Sequence, residues 1–178
     1  MKKSLQPDFF ERPTLIVAKD LIGKFLVRRD NDREIAFMIT ETEAYDGFKD
    51  LVSHARHGTT PRTRVMFGPP GFIYVYFTYG MHWMLNIVCG KEGYPAAILV
   101  RGAGDIVGPA RLTNALQINK GLNRLPLGRK AGLWIEDRGA VIPKKEIIAT
   151  PRIGIDHSGP LWSKKPWRFV YRPIKKKG

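Results

Sequence analysis

Ile39-Thr40-Glu41-Thr42-Glu43-Ala44-Tyr45 sets two carboxylates inside an otherwise β-branched, strand-like run. Side chains alternate faces along a strand, so Phe37, Ile39, Glu41, Glu43 and Tyr45 are expected on one face, with Met38, Thr40, Thr42 and Ala44 on the other. Two acids at i and i+2 repel when both are ionised. That repulsion is expected to raise the pKa of at least one of them, which suits a general base or acid. The alternative for these seven residues is a solvent-facing strand edge whose charges discourage unwanted pairing.

Immediately upstream, residues 24–29 alternate as a strand, Asp30-Asn31-Asp32 reads as a polar turn, and 34–44 reads as the return strand of a hairpin. Phe9 and Phe10 form an apolar anchor ahead of a helix over 14–21, spaced by Leu15, Ala18, Leu21 and Ile22 and stopped at Gly23. Downstream, the pattern breaks into a loop from Asp46. His54 and His57 stand at i and i+3, but no cysteine or third histidine lies nearby, so hydrogen bonding to a ligand is the preferred reading over a metal site. Thr60 reads as the cap of a short helix with Pro61 at its first position. Arg62 and Arg64 beside that helix start make a phosphate site.

Gly68-Pro69-Pro70-Gly71 is a rigid turn, and residues 72–88 read as two strands with Tyr74 and Tyr76 on one face. Tyr79-Gly80 falls at the turn between them, where it would push a ring outward. Core packing is the plain reading of tyrosine-rich strands. In a basic protein, such rings also suit base stacking and a wedge between base pairs.

Pro109 opens a helix expected to run through 119 and to end at Lys120-Gly121. Residues 133–136, 147–149, 152–155 and 167–171 read as short strands. Asp156 and His157 would then face apart as adjacent strand residues, which argues against a catalytic pair. Lys175-Lys176-Lys177 reads as a solvated tail that adds nonspecific attraction for DNA.

The 178 residues are enough for one domain with a real core and too few to argue for two. No run approaches the roughly 18 apolar residues of a membrane span, and no apolar segment follows the basic first residues as in a secretory signal. Cys89 is the single cysteine, which excludes an intramolecular disulfide and any cysteine-based metal cage. An intracellular location, in cytoplasm, nucleoid or nucleus, is therefore expected. Thirty Lys and Arg against 16 Asp and Glu give a net charge of +14, the balance of a polyanion binder. A ribosome-associated protein would share the charge but not the acids and tyrosines.

Several of these stretches together resemble the alkyladenine (3-methyladenine, methylpurine) DNA glycosylase family. The resemblance runs through the opening heptapeptide, Ser53-His54-Ala55-Arg56, Thr60-Pro61-Arg62-Thr63-Arg64, Met66-Phe67 and Tyr74-Val75-Tyr76-Phe77-Thr78-Tyr79-Gly80-Met81 to Asn86. It continues at Leu99-Val100-Arg101, Gly108-Pro109-Ala110-Arg111-Leu112, Ala115-Leu116-Gln117-Ile118-Asn119, Ile153-Gly154, Gly159 and Lys165-Pro166-Trp167-Arg168-Phe169.

The resemblance implies a single α+β glycosylase domain over 1–178, built on a curved antiparallel β-sheet with flanking helices. It implies a monofunctional enzyme of base excision repair that flips alkylated or deaminated purines from duplex DNA and hydrolyses the N-glycosidic bond. Glu43 matches the family's general base and Arg101 the arginine that helps hold its water. Tyr45, His54, Tyr76 and Asn86 match the base pocket, and Tyr79 with Met81 the intercalating wedge. Arg62 and Arg64 are candidates for the DNA backbone. No cofactor or metal is expected, the partner is damaged double-stranded DNA rather than a membrane, and a monomer is expected. One departure is the short Gly102-Ala103-Gly104-Asp105-Ile106-Val107, where the family has a helical insertion.

Overall fold

β-Branched and aromatic side chains favour a pleated, half-buried surface, and the run from Arg33 to Asp46 forms one 14-residue strand. The structure is a computed structural model that describes residues 2–31 and 33–174. Asp32 and the tail Lys175-Lys176-Lys177 lie outside the described residues.

Ahead of the long strand come β1 (Lys3–Ser4), α1 (Pro7–Phe10), α2 (Thr14–Asp20) and β2 (Phe25–Asp30); the long strand is β3. After it come β4 (Ile73–Thr78), β5 (His82–Val88), β6 (Ala96–Ala103), β7 (Ile106–Val107), α3 (Pro109–Ala115), β8 (Leu133–Asp137), β9 (Ile147–Thr150), α4 (Pro160–Ser163) and β10 (Arg168–Tyr171). None of the described helices is long and apolar enough to cross a membrane.

Seven strands form one open antiparallel sheet in the order β1-β8-β2-β3-β6-β5-β4, with β7 paired to β6, and β10 to β3 and β9, giving a single α+β domain. The long strand changes partner midway. Its first half pairs with β2, through Leu26↔Phe37 and Phe25↔Met38. Its second half pairs with β10 on that side and with β6 on the other, so Glu43 sits between Arg168 and Leu99. Strand β6 escapes the alternation rule because Ala96-Ala97-Ile98-Leu99-Val100 is continuously apolar, the mark of a strand buried on both faces.

The main core lies on one face of the sheet. There α2 contributes Val17 and Ala18, α3 contributes Leu112, and the strands contribute Ile39, Ala44, Ile73, Leu85, Ile87, Ile98 and Val100. Each large aliphatic side chain so buried contributes roughly 1.5–3 kcal/mol. Thr42 points the same way and donates its hydroxyl to the Ala18 carbonyl at 2.8 Å. On the other face, a smaller cluster of Ala55, Val65, Met66, Tyr74, Val88 and Ala97 supports the cavity described below.

The expected alternation along β3 breaks at its centre. Ile35, Phe37 and Ile39 pack on the main core, yet so do Thr42 and Ala44. Phe37 and Ile39 therefore do not share the face of Glu41, Glu43 and Tyr45. The cause is a paired irregularity: the ladder runs Ile39↔Ala103, Glu41↔Gly102, Thr42↔Val100, passing over Thr40 on β3 and Arg101 on β6. One extra residue on each strand flips the side-chain parity of both. Gly102 permits this approach, since a Cβ there would lie 3.1 Å from the Ile106 carbonyl oxygen and 3.2 Å from Thr40 Oγ1.

Four other expectations change. α3 ends at Ala115, Gln117 adopts a positive φ of 50°, and Asn119 then caps a separate 3-10 turn, Lys120–Leu122, by accepting the Gly121 N–H. Thr60 and Thr63 exchange backbone-to-hydroxyl bonds that close a turn, but only a four-residue 3-10 segment, Arg64–Phe67, follows. No α-helix N-terminus is formed there to hold a phosphate. Residues 152–155 are irregular rather than a strand, because Arg152 turns inward to a buried acid. Asp156–Ser158 is a 3-10 turn, so strand alternation does not describe Asp156 and His157.

Candidate active site

An ionised carboxylate in an interior strand needs donors, and Glu43, fully buried, has three around it. Oε1 accepts the Ile153 backbone N–H at 2.8 Å, and Oε2 accepts the Tyr45 hydroxyl at 3.0 Å. Arg101 reaches Oε2 with a terminal nitrogen at 3.5 Å, but its Nε is committed to Glu41 at 2.9 Å. Glu41 is better served, because Arg168 also donates to it at 2.8 Å. The parity flip aims Glu41, Glu43 and Tyr45 together with Arg101 away from the main core.

Burial pushes the Glu43 carboxyl up from its ordinary value. The Arg101 cation, the Ile153 amide and the Tyr45 hydroxyl pull it down, and Glu41 adds the smallest push; the balance is upward. The direction expected from paired acids is present, but desolvation rather than like-charge repulsion is its main cause. Burial, then the Glu43 charge, holds the Tyr45 phenol well above 10, so it stays a donor.

In front of the carboxylate opens a cavity of about 540 Å³, walled by Tyr45, His54, Tyr74, Tyr76, Asn86 and Arg101, with Leu99 and Ile153 beside them. The His54 ring meets Tyr76 edge-on at 4.7 Å, and its Nδ1 lies 3.1 Å from the Tyr74 hydroxyl. The Arg62 guanidinium lies over the Tyr76 ring at 4.7 Å, with one nitrogen 3.5 Å from His54 Nε2. His54 keeps one edge exposed, yet desolvation of the rest of its ring, and secondly the Arg62 charge, lower it to about 4, leaving a neutral imidazole at neutral pH. Burial first, then Tyr74, push Tyr76 up to about 12. Asn86 commits its amide nitrogen to the carbonyls of Tyr74 and Met84.

Strands β4 and β5 project past the cavity as a hairpin. Tyr79 and Gly80 have φ of 51° and 68°, and the Met81 N–H closes the turn on the Thr78 carbonyl. Positive φ suits glycine but strains a tyrosine. At that tip Tyr79 is 81% exposed and Met81 66%, with Tyr79 also lining the cavity mouth. Arg62 and Arg64 are both exposed, and neither lines the cavity, though Arg62 covers the Tyr76 ring of its wall. His57 accepts from Arg56 at 2.7 Å and does not converge with His54. Among the described residues no group of His, Cys, Asp and Glu is placed to hold a metal.

The structure thus gathers Arg101, Tyr45, His54, Tyr76 and Asn86 on the wall of one cavity, with Tyr79 at its mouth; Glu43 is buried behind Tyr45 and Arg101 rather than lining it, and Met81 stays on the hairpin tip beside Tyr79. It adds residues that the sequence did not single out as site residues: the Ile153 amide, Arg168, and a buried ion pair of Asp50 with Arg152. Ile153-Gly154 and Arg168 stand within motifs already noted. Nothing local marks Asp50 and Arg152 as partners, because 102 positions separate them. After Arg101 the chain turns tightly, with β7 pairing back through Gly102↔Val107 and Ala103↔Ile106.

The model of the family "Methylpurine-DNA glycosylase (MPG)" matches residues 8–107 and 105–174, its two parts meeting at that tight hairpin. A protein of Methanocella arvoryzae, provisionally named a 3-methyladenine DNA glycosylase, is 43% identical over 93% of this chain and 90% of its own length. A similarly named protein of Anaeromyxobacter sp. strain Fw109-5 is 45% identical over 93% of this chain and 88% of its own. Another, of Wolbachia pipientis wMel, is 41% identical over 95% and 92%.

Proposed function

The chain belongs to the methylpurine-DNA glycosylase family and is a 3-methyladenine DNA glycosylase, and on that premise we propose a monofunctional, water-using mechanism centred on Glu43. The observation that carries this reading is a fully buried, under-solvated carboxylate behind an aromatic cavity, its orientation held by Ile153, Tyr45 and Arg101. A carboxylate has about four lone-pair positions, and two are occupied by hydrogen bonds. A remaining one accepts the proton of a water whose oxygen bonds to C1′ of the sugar. The C1′–N bond breaks, its electron pair leaves with the base, and the product is an abasic site.

The carboxylate also offsets the positive charge that develops on the sugar. Tyr45 and Tyr76 offer π-faces to alkylated purines, which carry positive charge and leave readily. The substrates proposed are 3-methyladenine, 7-methylguanine, hypoxanthine and ethenoadenine in duplex DNA. Reaching C1′ requires extruding the nucleotide, for a few kcal/mol. Tyr79, strained and exposed at the hairpin tip with Met81 beside it, fills the vacated space. Asn86 edges the pocket against the guanine amino group. Arg62 and Arg64, both exposed, contact phosphates of the DNA strand. The protein acts as a monomer. A lysine Schiff base is the rival route, but no lysine is among the described residues lining the cavity.

The test measures base release from duplexes carrying one hypoxanthine, ethenoadenine or 7-methylguanine, comparing the native chain with Glu43→Gln. Native protein is expected to leave an alkali-labile abasic site, and the variant to bind lesions while releasing bases about 10²–10⁴ times more slowly. Binding without release by both proteins would make this a damage-binding module. A borohydride-trapped adduct would replace water by an amine nucleophile.

A further inference from the structure

Arg152 and Asp50 are both fully buried and meet through two parallel contacts, 2.6 Å and 2.9 Å. The same Arg152 nitrogen donates to the Ala44 carbonyl at 2.8 Å. Its guanidinium lies between two rings, 4.8 Å from that of Tyr45 and 5.1 Å from that of Trp167. Asp50 in turn accepts the backbone N–H groups of Asp46 and Val52, tying down the loop that leads to His54. One guanidinium therefore grips the peptide between Glu43 and Tyr45, the face of the Tyr45 ring, and the backbone one residue before the Ile153 N–H.

A buried ion pair of this kind adds little net stability over well-packed apolar residues. Here it also leaves Arg152 Nε buried without a partner, an added cost. What the pair supplies that apolar residues cannot is direction. We propose, resting on the glycosylase reading above, that Arg152 held by Asp50 is a positioning residue for base excision. Its fork sets the Ile153 amide and the Tyr45 hydroxyl on Glu43, leaving the carboxylate's free lone pair aimed at the cavity.

The charged and titratable groups around Glu43 are Glu41 and Tyr45 on β3, Arg101 on β6, Tyr76 on β4, Arg168 on β10 acting through Glu41, and Arg152 itself over the Tyr45 ring. The Ile153 amide is among the groups that lower Glu43, so losing it should move the acid limb of the rate profile to higher pH.

The decisive variants are Arg152→Lys and the double change Asp50→Leu with Arg152→Met, which restores an apolar core without the fork. Single-turnover release from a hypoxanthine duplex is followed across the acid and neutral range, with lesion binding and thermal unfolding measured alongside. The expected result is a folded double variant that binds within about threefold of native, releases base at least about tenfold more slowly, and shows its acid limb shifted upward. Native rate with an unshifted limb in the double variant would overturn the proposal. If the double variant does not fold, Arg152→Lys decides by the same two readouts; if neither folds, the pair is a folding element and the proposal is lost. A native chain that releases no base refutes the glycosylase reading itself and takes this assignment with it.

Discussion

Two glutamates, each on an interior strand and each buried, end in opposite electrostatic states. Glu136 lies on β8 between Ser4 of β1 and Phe25 of β2. Burial would push its carboxyl up, but Trp134 donates at 2.7 Å, Arg138 at 2.9 Å and Arg129 at 3.3 Å, and the outcome is a value below the ordinary one. Those arginines reach it from the surface, Arg129 being 56% exposed, so the group is covered but shallow. Glu43 is deeper, the Arg101 cation beside it sits at 3.5 Å and is shared with Glu41, and its carboxyl goes up. A saturated carboxylate is finished as structure, whereas an under-served one keeps affinity for a proton and a free lone pair. That difference, more than burial, separates a structural acid from a reactive one.

The largest effect that would break this comparison is at Glu43. Its folded pKa is raised, so the ionised group penalises the native state above that value, and the penalty disappears as pH falls towards the unfolded value. Glu43→Gln should therefore melt at or above the native temperature at neutral pH, with the gain shrinking in acid, even as base release falls about 10²–10⁴-fold. Thermal melts at neutral and acidic pH check the first part; a variant clearly less stable at neutral pH would mean that the acid is structural after all.

Glu136→Gln should do the reverse. Loss of charge-assisted hydrogen bonds is expected to remove about 1.5–3 kcal/mol of stability without altering base release per folded molecule, as urea titration and active-site-normalised rates would show. Because its folded pKa is lowered, this contribution is present above the ordinary carboxyl value and fades as pH falls through the folded one.

Tyr79 sharpens the contrast by having almost no packing to lose. Tyr79→Asn should leave unfolding within about 0.5 kcal/mol of native while weakening lesion binding or release by about tenfold. An unchanged affinity for hypoxanthine duplex would remove the wedge role. The smallest effect concerns His54: with its folded pKa lowered to about 4, native stability should decline as pH falls from about 6.5 towards that value. Solvent reaching this ring moderates the decline, and His54→Gln should flatten it in pH-dependent melts.

Local sequence carried much of this. The hairpin of β2 and β3, the helix from Thr14, the two strands β4 and β5 and the outward ring at Tyr79 all follow from alternation, helical spacing and turn chemistry. Where sequence reasoning slipped, a long-range partner intervened. Strict alternation failed at Thr40 because β6 carries a matching irregularity some sixty residues away. Residues 152–155 read as a strand because Ile153 and Ile155 alternate, but Arg152 bends the segment inward to Asp50. The Thr60 region has capping residues without enough helix behind them to make a phosphate site.

What the chain by itself determined is the inventory: two acids on a β-branched strand, tyrosines in register, a ring at a tight turn, an excess of cations suited to DNA, and a motif order matching a DNA glycosylase family. Each depends on neighbours within a few positions or on totals. The motif match singled out Glu43; which acid is left short of donors was decided only by tertiary structure. The raised pKa of Glu43 depends on desolvation and on how few partners reach it from afar, Ile153 across 110 positions of chain and Arg101 across 58. Solvent exclusion and hydrogen-bond geometry are properties of the packed assembly, and no local pattern encodes them.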